Sequence, residues 1–327
     1  MESVPLDLPR GSRILVTGAN ERLHCLACRR EITGTWYGPR SFETVIVTSF
    51  EDKSTVERAL DEVDGVVHLA SDLSFNSDPN AVIPWVVQAT LNILELAARR
   101  ASIKRVVLVS SSTAAYMIFP DPNRRDVHAN TWNDVAVAKA WDEKTPANEK
   151  GLTVYAASKT EGERQSWKWI EENHPQFVFN TVLPSFSVGR ILHPEIPGSM
   201  MGSARQLLTG DPTAVLYFGK MAKLFLEWYV EVEDVARLCV IGLVDPKVKS
   251  ERIFAFAEQK HWADTVAILR DLRPNNTSIP DVPLDIPRDQ TVIHRRDRAE
   301  KLLRDFYGQP GFTPIKESIE RGIEGWS

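Results

Sequence analysis

Short apolar runs that end abruptly in glycine, serine or proline recur along this 327-residue chain and alternate with segments of helical spacing. Four of these runs predict strands, over residues 13–17, 65–70, 104–109 and 177–183. None shows the polar alternation of a strand with one solvated face. Strands that are apolar on both faces are typical of parallel sheets covered by helices. The chain is therefore expected to adopt an α/β fold with a doubly wound, mostly parallel sheet.

Weaker patterns complete this outline. Two further strands are predicted over residues 42–48 and 252–257, and helices over residues 55–63, 84–100, 155–173 and 233–243. The remaining segments are richer in proline and aromatic residues and are read as irregular, forming a small C-terminal lobe. These segments cover residues 185–232 and 259–327.

Composition narrows the class of protein. The chain holds 39 Lys and Arg against 44 Asp and Glu, and 43% of its residues are hydrophobic. This mild acidity argues against nucleic acid or an anionic membrane as the main partner. Three cysteines cannot build a disulfide framework, and the sequence shows no signal-peptide layout and no long apolar run. We therefore expect a cytoplasmic protein with no membrane partner.

Tyr155 and Lys159 form a Tyr-x-x-x-Lys pair inside a predicted helix. Residues four apart share a helix face, so the ammonium of Lys159 can lie beside the phenol of Tyr155. A nearby positive charge stabilises the phenolate and lowers the pKa of the phenol from its ordinary value near 10. The pair is therefore a candidate for acid–base catalysis at neutral pH.

Polar residues follow two of the predicted strands at the point where each strand ends. Ser110, Ser111 and Ser112 follow the strand that ends at residue 109. The first strand ends in Thr17-Gly-Ala-Asn20, a glycine turn of the kind used at a dinucleotide pyrophosphate. Open α/β sheets bind their ligands at the carboxyl ends of their strands. These residues therefore predict a ligand site at that edge.

Five motifs then stand in a recognisable order, namely Thr17-Gly-Ala-Asn20, His68-Leu-Ala-Ser71, Val109-Ser-Ser-Ser112, Tyr155-Ala-Ala-Ser-Lys159 and Leu183-Pro-Ser-Phe-Ser-Val-Gly189. The chain in this respect resembles the extended short-chain dehydrogenase/reductases. More narrowly, it is similar to the fungal aldehyde/ketone reductases related to dihydroflavonol reductase. The segment Tyr229–Ala236 resembles a late signature of the same group. The similarity runs from about Leu8 to the C-terminus.

The resemblance implies a Rossmann-type fold and an NADP(H)-dependent reductase of a ketone or aldehyde, as found in fungal secondary metabolism. Its dinucleotide-binding domain would comprise residues 8–184 and 233–257, and its substrate-binding lobe residues 185–232 and 258–327. The partner would be a small carbonyl compound, and the protein a monomer or homodimer.

Roles for single residues also follow from the resemblance. Tyr155 would donate a proton to the substrate carbonyl, and Lys159 would hold the nicotinamide ribose. Ser111 or Ser112 would hydrogen-bond the carbonyl oxygen; the resemblance favours Ser111, and both fit. The implied cofactor-binding residues are Thr17, Gly18, Asn20, Leu69, Ala70, Tyr155, Lys159, Pro184, Ser187 and Val188.

The first glycine motif departs from the family pattern. Glu21 stands where the family has a second glycine, and His24 where it has a small residue. Only the residues 19–41 separate Gly18 from Phe42, which is too short for a full second βαβ unit of about 30 residues. A divergent stretch and a wrong exon junction both fit this segment. Ser49 replaces an aspartate that is often found near the adenine, and Arg29, Arg30 and Arg40 are equal candidates for reading a 2′-phosphate.

Other hypotheses stay open at this point. A degenerate member without cofactor affinity could act as a binding or regulatory protein, and a third hypothesis is epimerase chemistry on a sugar nucleotide. Cys25 and Cys28 have metal-ligand spacing, but no second cysteine pair exists, so no metal site is expected. Bulky apolar residues are candidates to line a substrate pocket or to build the core of the small lobe; they are Phe119, Trp132, Phe186, Met200, Met201, Tyr217, Phe218 and Trp228.

Overall fold

The computed structural model describes residues 6–18, 43–119, 124–192, 200–211, 227–281 and 289–326. Its strands, in chain order, are β1 (Ile14–Thr17), β2 (Gly65–His68), β3 (Arg105–Val109), β4 (Asp126–Val127), β5 (Val178–Pro184), β6 (Phe186–Val188), β7 (Glu227–Glu231), β8 (Arg252–Ala255), β9 (Glu258–Lys260) and β10 (Val292–Ile293). Five of them form a parallel sheet in the order β1-β2-β3-β5-β8. Two small sheets, β10-β4 and β6-β7-β9, stand beside it.

The helices of the described residues are α1 (Lys53–Ala59), α2 (Pro79–Ala98), α3 (Asp134–Trp141), α4 (Ala147–Asn173), α5 (Met200–Thr209), α6 (Val232–Val244), α7 (Trp262–Leu272), α8 (Arg296–Tyr307) and α9 (Ile315–Gly322). Local chemistry fixes several ends. The carboxylates of Asp52 and Asp78 accept hydrogen bonds from the first turns of α1 and α2, as good N-caps do.

Helices cover both faces of the sheet. On one face, a buried cluster joins the sheet to α1 and α2 through residues such as Leu60, Ile93 and Phe179, with Trp167 of α4 packed against it. On the other face, Val107 and Val182 of the sheet share a second cluster with α6 and α8. The structure thus confirms the predicted α/β fold with a doubly wound, mostly parallel sheet.

Several predicted boundaries differ from those observed. Residues 43–48 form no strand, so β1 is the edge of the sheet in the described part of the chain; Phe42 lies outside it. Helix α2 begins at Pro79 rather than at residue 84, because Asp78 caps it. Helix α4 begins at Ala147, well before Tyr155. The segments read as irregular contain four helices, α5, α7, α8 and α9.

A separate core lies among α5, α7, α9 and the sheet β6-β7-β9, with Leu207, Tyr229 and Trp262 buried in it. This core belongs to the predicted substrate-binding lobe. Helix α8 also falls in that predicted lobe, yet its Leu302 and Leu303 pack in the cluster that covers the main sheet. The division of the chain into two domains stays a prediction.

Helix α2 is the one helix in the described residues that is long and apolar enough to cross a membrane, judged by length and composition. Polar residues interrupt its sequence at Gln88, Asn92 and Glu95, so it holds no long unbroken apolar run. More than half of its apolar window, 56%, is buried inside the fold, and α2 packs along α4. These contacts are those of a core helix.

Candidate active site

The serines form the tightly held end of β3. The backbone N–H of Ser110 donates to the carbonyl of Val182 at 2.8 Å, which continues the sheet by one residue. Ser111 has extended backbone and caps a single 3₁₀ turn, Ser112–Ala114, its Oγ accepting from the N–H of Thr113 at 3.2 Å. Ser111 and Ser112 are both buried. Residues 110–114, called the serine platform below, therefore hold the serine hydroxyls in fixed positions.

Helix α4 brings the Tyr–Lys pair to this platform. The Nζ of Lys159 donates to the carbonyl of Val109 at 3.4 Å, one residue before the serines, and Lys159 is buried. Thr160 contacts the carbonyl of Thr113 at 3.5 Å, so α4 also touches the 3₁₀ turn. Tyr155 lies one helical turn before Lys159 and is half-buried. A buried ammonium on the same face as a partly accessible phenol suits the acid–base role predicted for the pair.

Phe75 was not predicted as a site residue, yet its ring lies 5.2 Å from the ring of Tyr155, centroid to centroid. The Phe75 side chain is half exposed, and its backbone is left-handed with φ 51°. Its carbonyl lies directly against Gly151 of α4, where a Cβ would collide with it. No sequence signal marked Phe75, because a left-handed aromatic residue in a polar loop follows no pattern.

The end of β1 is tied to the end of β2 through one hydroxyl. Thr17 Oγ1 accepts from the N–H groups of Leu69 and Ala70, both at 3.2 Å, and lies 2.7 Å from Nδ1 of His68. Gly18 follows with φ +70°, so close to Ala70 that an added Cβ would collide with its backbone. Leu69 is exposed and Ala70 half-buried. The predicted cofactor residues that follow β1 and β2 are therefore joined by hydrogen bonds at two neighbouring strand ends.

His68 is neutral in this arrangement. Burial, and to a smaller extent the charge of Lys159, lowers its pKa to about 3. Because Thr17 Oγ1 already accepts two N–H groups, its own proton is directed to Nδ1 of His68, which places the imidazole proton on Nε2. That nitrogen is buried and has no hydrogen-bond partner among the described residues.

The carboxyl end of β5 carries the last predicted group. Pro184 and Ser187 are half-buried, whereas Val188 is buried in the core of the small lobe. The N–H of Ser185 donates to the carbonyl of Ala255 at 3.1 Å, which holds the turn between β5 and β6. The predicted residues of β1, β2, β3 and β5 thus all stand at the carboxyl ends of the parallel strands.

Several residues singled out in the sequence lie outside the described part of the chain: Asn20, Glu21, His24, Cys25, Cys28, Arg29, Arg30, Arg40, Tyr217 and Phe218. Ser49 is described and lies in the connection that precedes α1, where its hydroxyl accepts from the N–H of Glu51 at 3.1 Å. Within residues that the structure does describe, no group of three or more His, Cys, Asp or Glu side chains could hold a metal.

Most of the aromatic residues that were candidates for a substrate pocket or a core pack against other aromatic side chains or a guanidinium group. Trp228 is buried in a cluster with Phe254 and Phe256, against which Phe119 and Phe186 pack. The guanidinium carbon of Arg252 lies over the ring of Trp132, 3.9 Å from the centroid of that ring. Met201 is buried in the core of the small lobe.

Comparisons with known proteins show the family of the chain. The sequence model of the NAD dependent epimerase/dehydratase family matches residues 9–256 of this chain. The ketoreductase nvfG of Aspergillus novofumigatus is 40% identical over 338 residues, covering 97% of each chain. Aldehyde reductase 2 of Sporidiobolus salmonicolor is 32% identical, covering 96% of this chain and 95% of its own.

Solved structures share the fold. Gre2 of Candida albicans in complex with NADPH superposes with a TM-score of 0.76 at 19% identity, over 96% of this chain and 98% of its own. Yeast methylglyoxal/isovaleraldehyde reductase Gre2, complexed with NADPH, gives 0.74 at 17% identity, over 95% and 97% of the two chains.

The alignment with the Aspergillus ketoreductase is longer than the present chain. It spans 338 positions, whereas 97% of 327 residues is about 317 residues. About 21 positions of that relative therefore have no counterpart here.

Proposed function

Because the chain belongs to the NAD dependent epimerase/dehydratase family, we propose that it is an NADP(H)-dependent reductase of a ketone or aldehyde. One observation carries the proposal: Lys159 reaches the carbonyl of Val109 beside the serine platform, and Tyr155 lies one turn before it on the same helix. The names of the ketoreductase and aldehyde reductase relatives support the same reaction type.

The residues at the strand ends fit a nicotinamide cofactor. At the first turn, Gly18 has φ +70° and lies so close to Ala70 that a side chain would displace the backbone, as expected of the first glycine of a dinucleotide-binding turn, which permits the tight turn. Thr17, Gly18, Leu69 and Ala70 would hold the adenosine side and pyrophosphate, whereas Lys159, Pro184 and Ser187 would border the nicotinamide and its ribose. The side chain of Val188, predicted to do the same, is buried in the core of the small lobe. When bound, the cofactor supplies a hydride to the carbonyl carbon.

The side chains of this protein then handle the proton and the developing charge. Tyr155 donates its phenolic proton to the carbonyl oxygen as negative charge grows there, and the alcohol product forms. The ammonium of Lys159 stabilises the phenolate left on Tyr155. Ser111 donates a hydrogen bond to the same oxygen from a position fixed by the 3₁₀ turn. The exposed ring of Phe75 beside Tyr155 favours a substrate with an apolar body.

Replacement of Tyr155 by Phe tests the assignment. Turnover of a carbonyl compound, followed by loss of NADPH absorbance, is expected to fall by a factor of about 10² to 10⁴ with nearly unchanged affinity for NADPH. Ser111→Ala and Ser112→Ala form a matched pair, of which only the first is expected to lower turnover strongly. Retained turnover in Tyr155→Phe would refute the assigned proton donor.

A second candidate is a binding or regulatory protein that does not use the cofactor. It is favoured by Glu21, which stands where the family has the second glycine of the turn that approaches the pyrophosphate. The two candidates differ in one measurement. Fluorescence titration with NADPH should reach saturation for a reductase, and absence of binding at millimolar NADPH would favour the binding protein.

A further inference from the structure

A buried carboxylate stands behind the serine platform. Glu163 lies on α4 one turn after Lys159, and its side chain is 0% exposed. Its oxygens accept five hydrogen bonds, from Ser110 Oγ (2.9 Å), Thr181 Oγ1 (2.7 Å), Trp167 Nε1 (3.3 Å) and, from Arg252, Nε (2.8 Å) and one terminal nitrogen (3.2 Å). A carboxylate with every lone pair engaged is held in one orientation.

The partner cation extends this contact to another segment. Arg252, at the start of β8, pairs with Glu163 and donates its remaining terminal nitrogen to the carbonyls of Ala129 and Thr131, both at 2.8 Å. Its guanidinium lies over the ring of Trp132. The segment 129–132 that leads into α3 is therefore fixed to the same ion pair.

Asn133, the next residue after segment 129–132, contacts the serine platform at its 3₁₀ turn. The Nδ2 of Asn133 donates to the carbonyl of Thr113 at 2.7 Å, and its backbone N–H donates to the carbonyl of Ala114 at 3.1 Å. The residues 110–114 are thus held at both ends, by Glu163 at Ser110 and by Asn133 at the 3₁₀ turn. Ser111 lies between these two supports.

We propose that Glu163 is a positioning residue: through Ser110 it fixes the backbone that presents Ser111 to the substrate oxygen. This assignment rests on the proposed reductase function. Glu163 is buried behind the strand end and acts through its neighbour. Small displacements of a donor cost catalysis more than they cost stability, because transition-state stabilisation depends steeply on position.

The ion pair alone does not account for the arrangement. A buried carboxylate–guanidinium pair is stabilising only when its remaining hydrogen-bonding capacity is satisfied, and Thr181 and Trp167 could supply that satisfaction from structural positions. The bond from Ser110 is different, because Ser110 directly precedes the serine assigned to the reaction. Removing the hydrogen bond from Ser110 to Glu163 therefore distinguishes an effect on the position of Ser111 from an effect on the stability of the fold.

Two variants make the test. Ser110→Ala removes the hydroxyl that joins the platform to Glu163, whereas Thr181→Val removes a hydroxyl from the same carboxylate on β5. Both side chains are buried, and both variants leave Glu163 paired with Arg252. Turnover at saturating NADPH, affinity for NADPH, thermal unfolding and hydrogen exchange of a peptide spanning residues 109–116 are measured for each.

Ser110→Ala is expected to lower turnover about tenfold with unchanged NADPH affinity and faster exchange of the peptide, while Thr181→Val changes turnover by less than about twofold. Equal losses of turnover in the two variants, or none in either, overturn the assignment while the reductase activity of the unaltered chain stands. If the unaltered chain reduces no carbonyl compound, the proposed function fails. Hydrogen exchange then decides alone: faster exchange confined to Ser110→Ala supports the positioning role of Glu163, and equal exchange overturns it.

Discussion

Replacing Gly18 by Ala tests the packing of the first turn against a matched glycine elsewhere. Gly18 has φ +70°, and an added Cβ would lie 2.6 Å from the nitrogen of Ala70 and 2.9 Å from the carbonyl carbon of Leu69. Gly308, at the end of α8, has φ +69°, and an added Cβ would meet nothing within 4 Å. The two positions therefore differ in the steric contact and share the left-handed backbone.

The expected magnitudes follow from that difference. A left-handed alanine costs about 1 kcal/mol at either position. At Gly18 the contact is with backbone, which cannot rotate away, so displacement adds about 1–3 kcal/mol. Since about 1 kcal/mol lowers the melting temperature of a large domain by about 2 °C, Gly308→Ala should lose about 2 °C and Gly18→Ala about 4–8 °C.

Thermal unfolding followed by fluorescence measures the first effect, and titration with NADPH measures the second. Gly18→Ala displaces the shelf formed by Leu69 and Ala70, so its affinity for NADPH should fall about tenfold or more, which corresponds to about 1.4 kcal/mol. Gly308→Ala should bind NADPH as the unaltered chain does. Equal melting temperatures and equal affinities in the two variants would refute the packing argument.

Two further predictions concern buried charge. Burial raises the pKa of Glu231 to about 7, above its ordinary 4.5, so the folded state holds a proton that the unfolded state releases; stability should therefore fall as the pH rises from about 4.5 to 7. Glu231→Gln should flatten that part of the profile of melting temperature against pH, and an unchanged slope would contradict the cause. Arg105 is fully buried, pairs with Asp7 and donates to the carbonyls of Val248 at 2.5 Å and Asp245 at 2.9 Å, so Arg105→Met breaks the ion pair, removes a donor from two buried carbonyls and should cost about 3–5 kcal/mol of unfolding free energy. The unfolding free energies of both variants are measured by urea titration. Arg13→Gln is the control for Arg105→Met, because it breaks the exposed pair of Arg13 with Glu62 and should cost less than about 1 kcal/mol.

The sequence was sufficient to predict most of the sheet and which residues lie at the carboxyl ends of its strands. The runs ending at residues 17, 109 and 183 are strands in the structure, because short segments that are apolar on both faces have few alternatives. The positions of Tyr155, Lys159 and Ser111 on a helix face and at a strand end could be predicted because helix periodicity and strand ends are local features, whereas their roles stay predictions. Thr17 and Leu69 contact each other because the adjacent parallel strands β1 and β2 end at the same edge of the sheet.

Contacts between distant segments could not be predicted in this way. Glu163 and Arg252 are 89 residues apart, and nothing in either neighbourhood indicates that they pair. The ring of Phe75 reaches Tyr155 through a left-handed loop, which has no pattern in the sequence. Residues 43–48 have strand propensity yet make no strand pairing with the described sheet, and propensity alone is a weak determinant of strands. The prediction of a strand there was wrong for this reason.

The two halves of the site have different physical support. The proposed catalytic half is held by buried contacts among described residues: Lys159 to Val109 and Ser110 to Glu163. The adenosine half depends on the segment after Gly18, where the sequence is short and departs from the family pattern. Binding energy from the remote part of a cofactor affects the concentration needed for saturation, whereas the acid–base step depends on Tyr155 and its neighbours. A weak affinity for NADPH combined with normal turnover at saturation would therefore place any defect in that segment and leave the chemistry of Tyr155 intact.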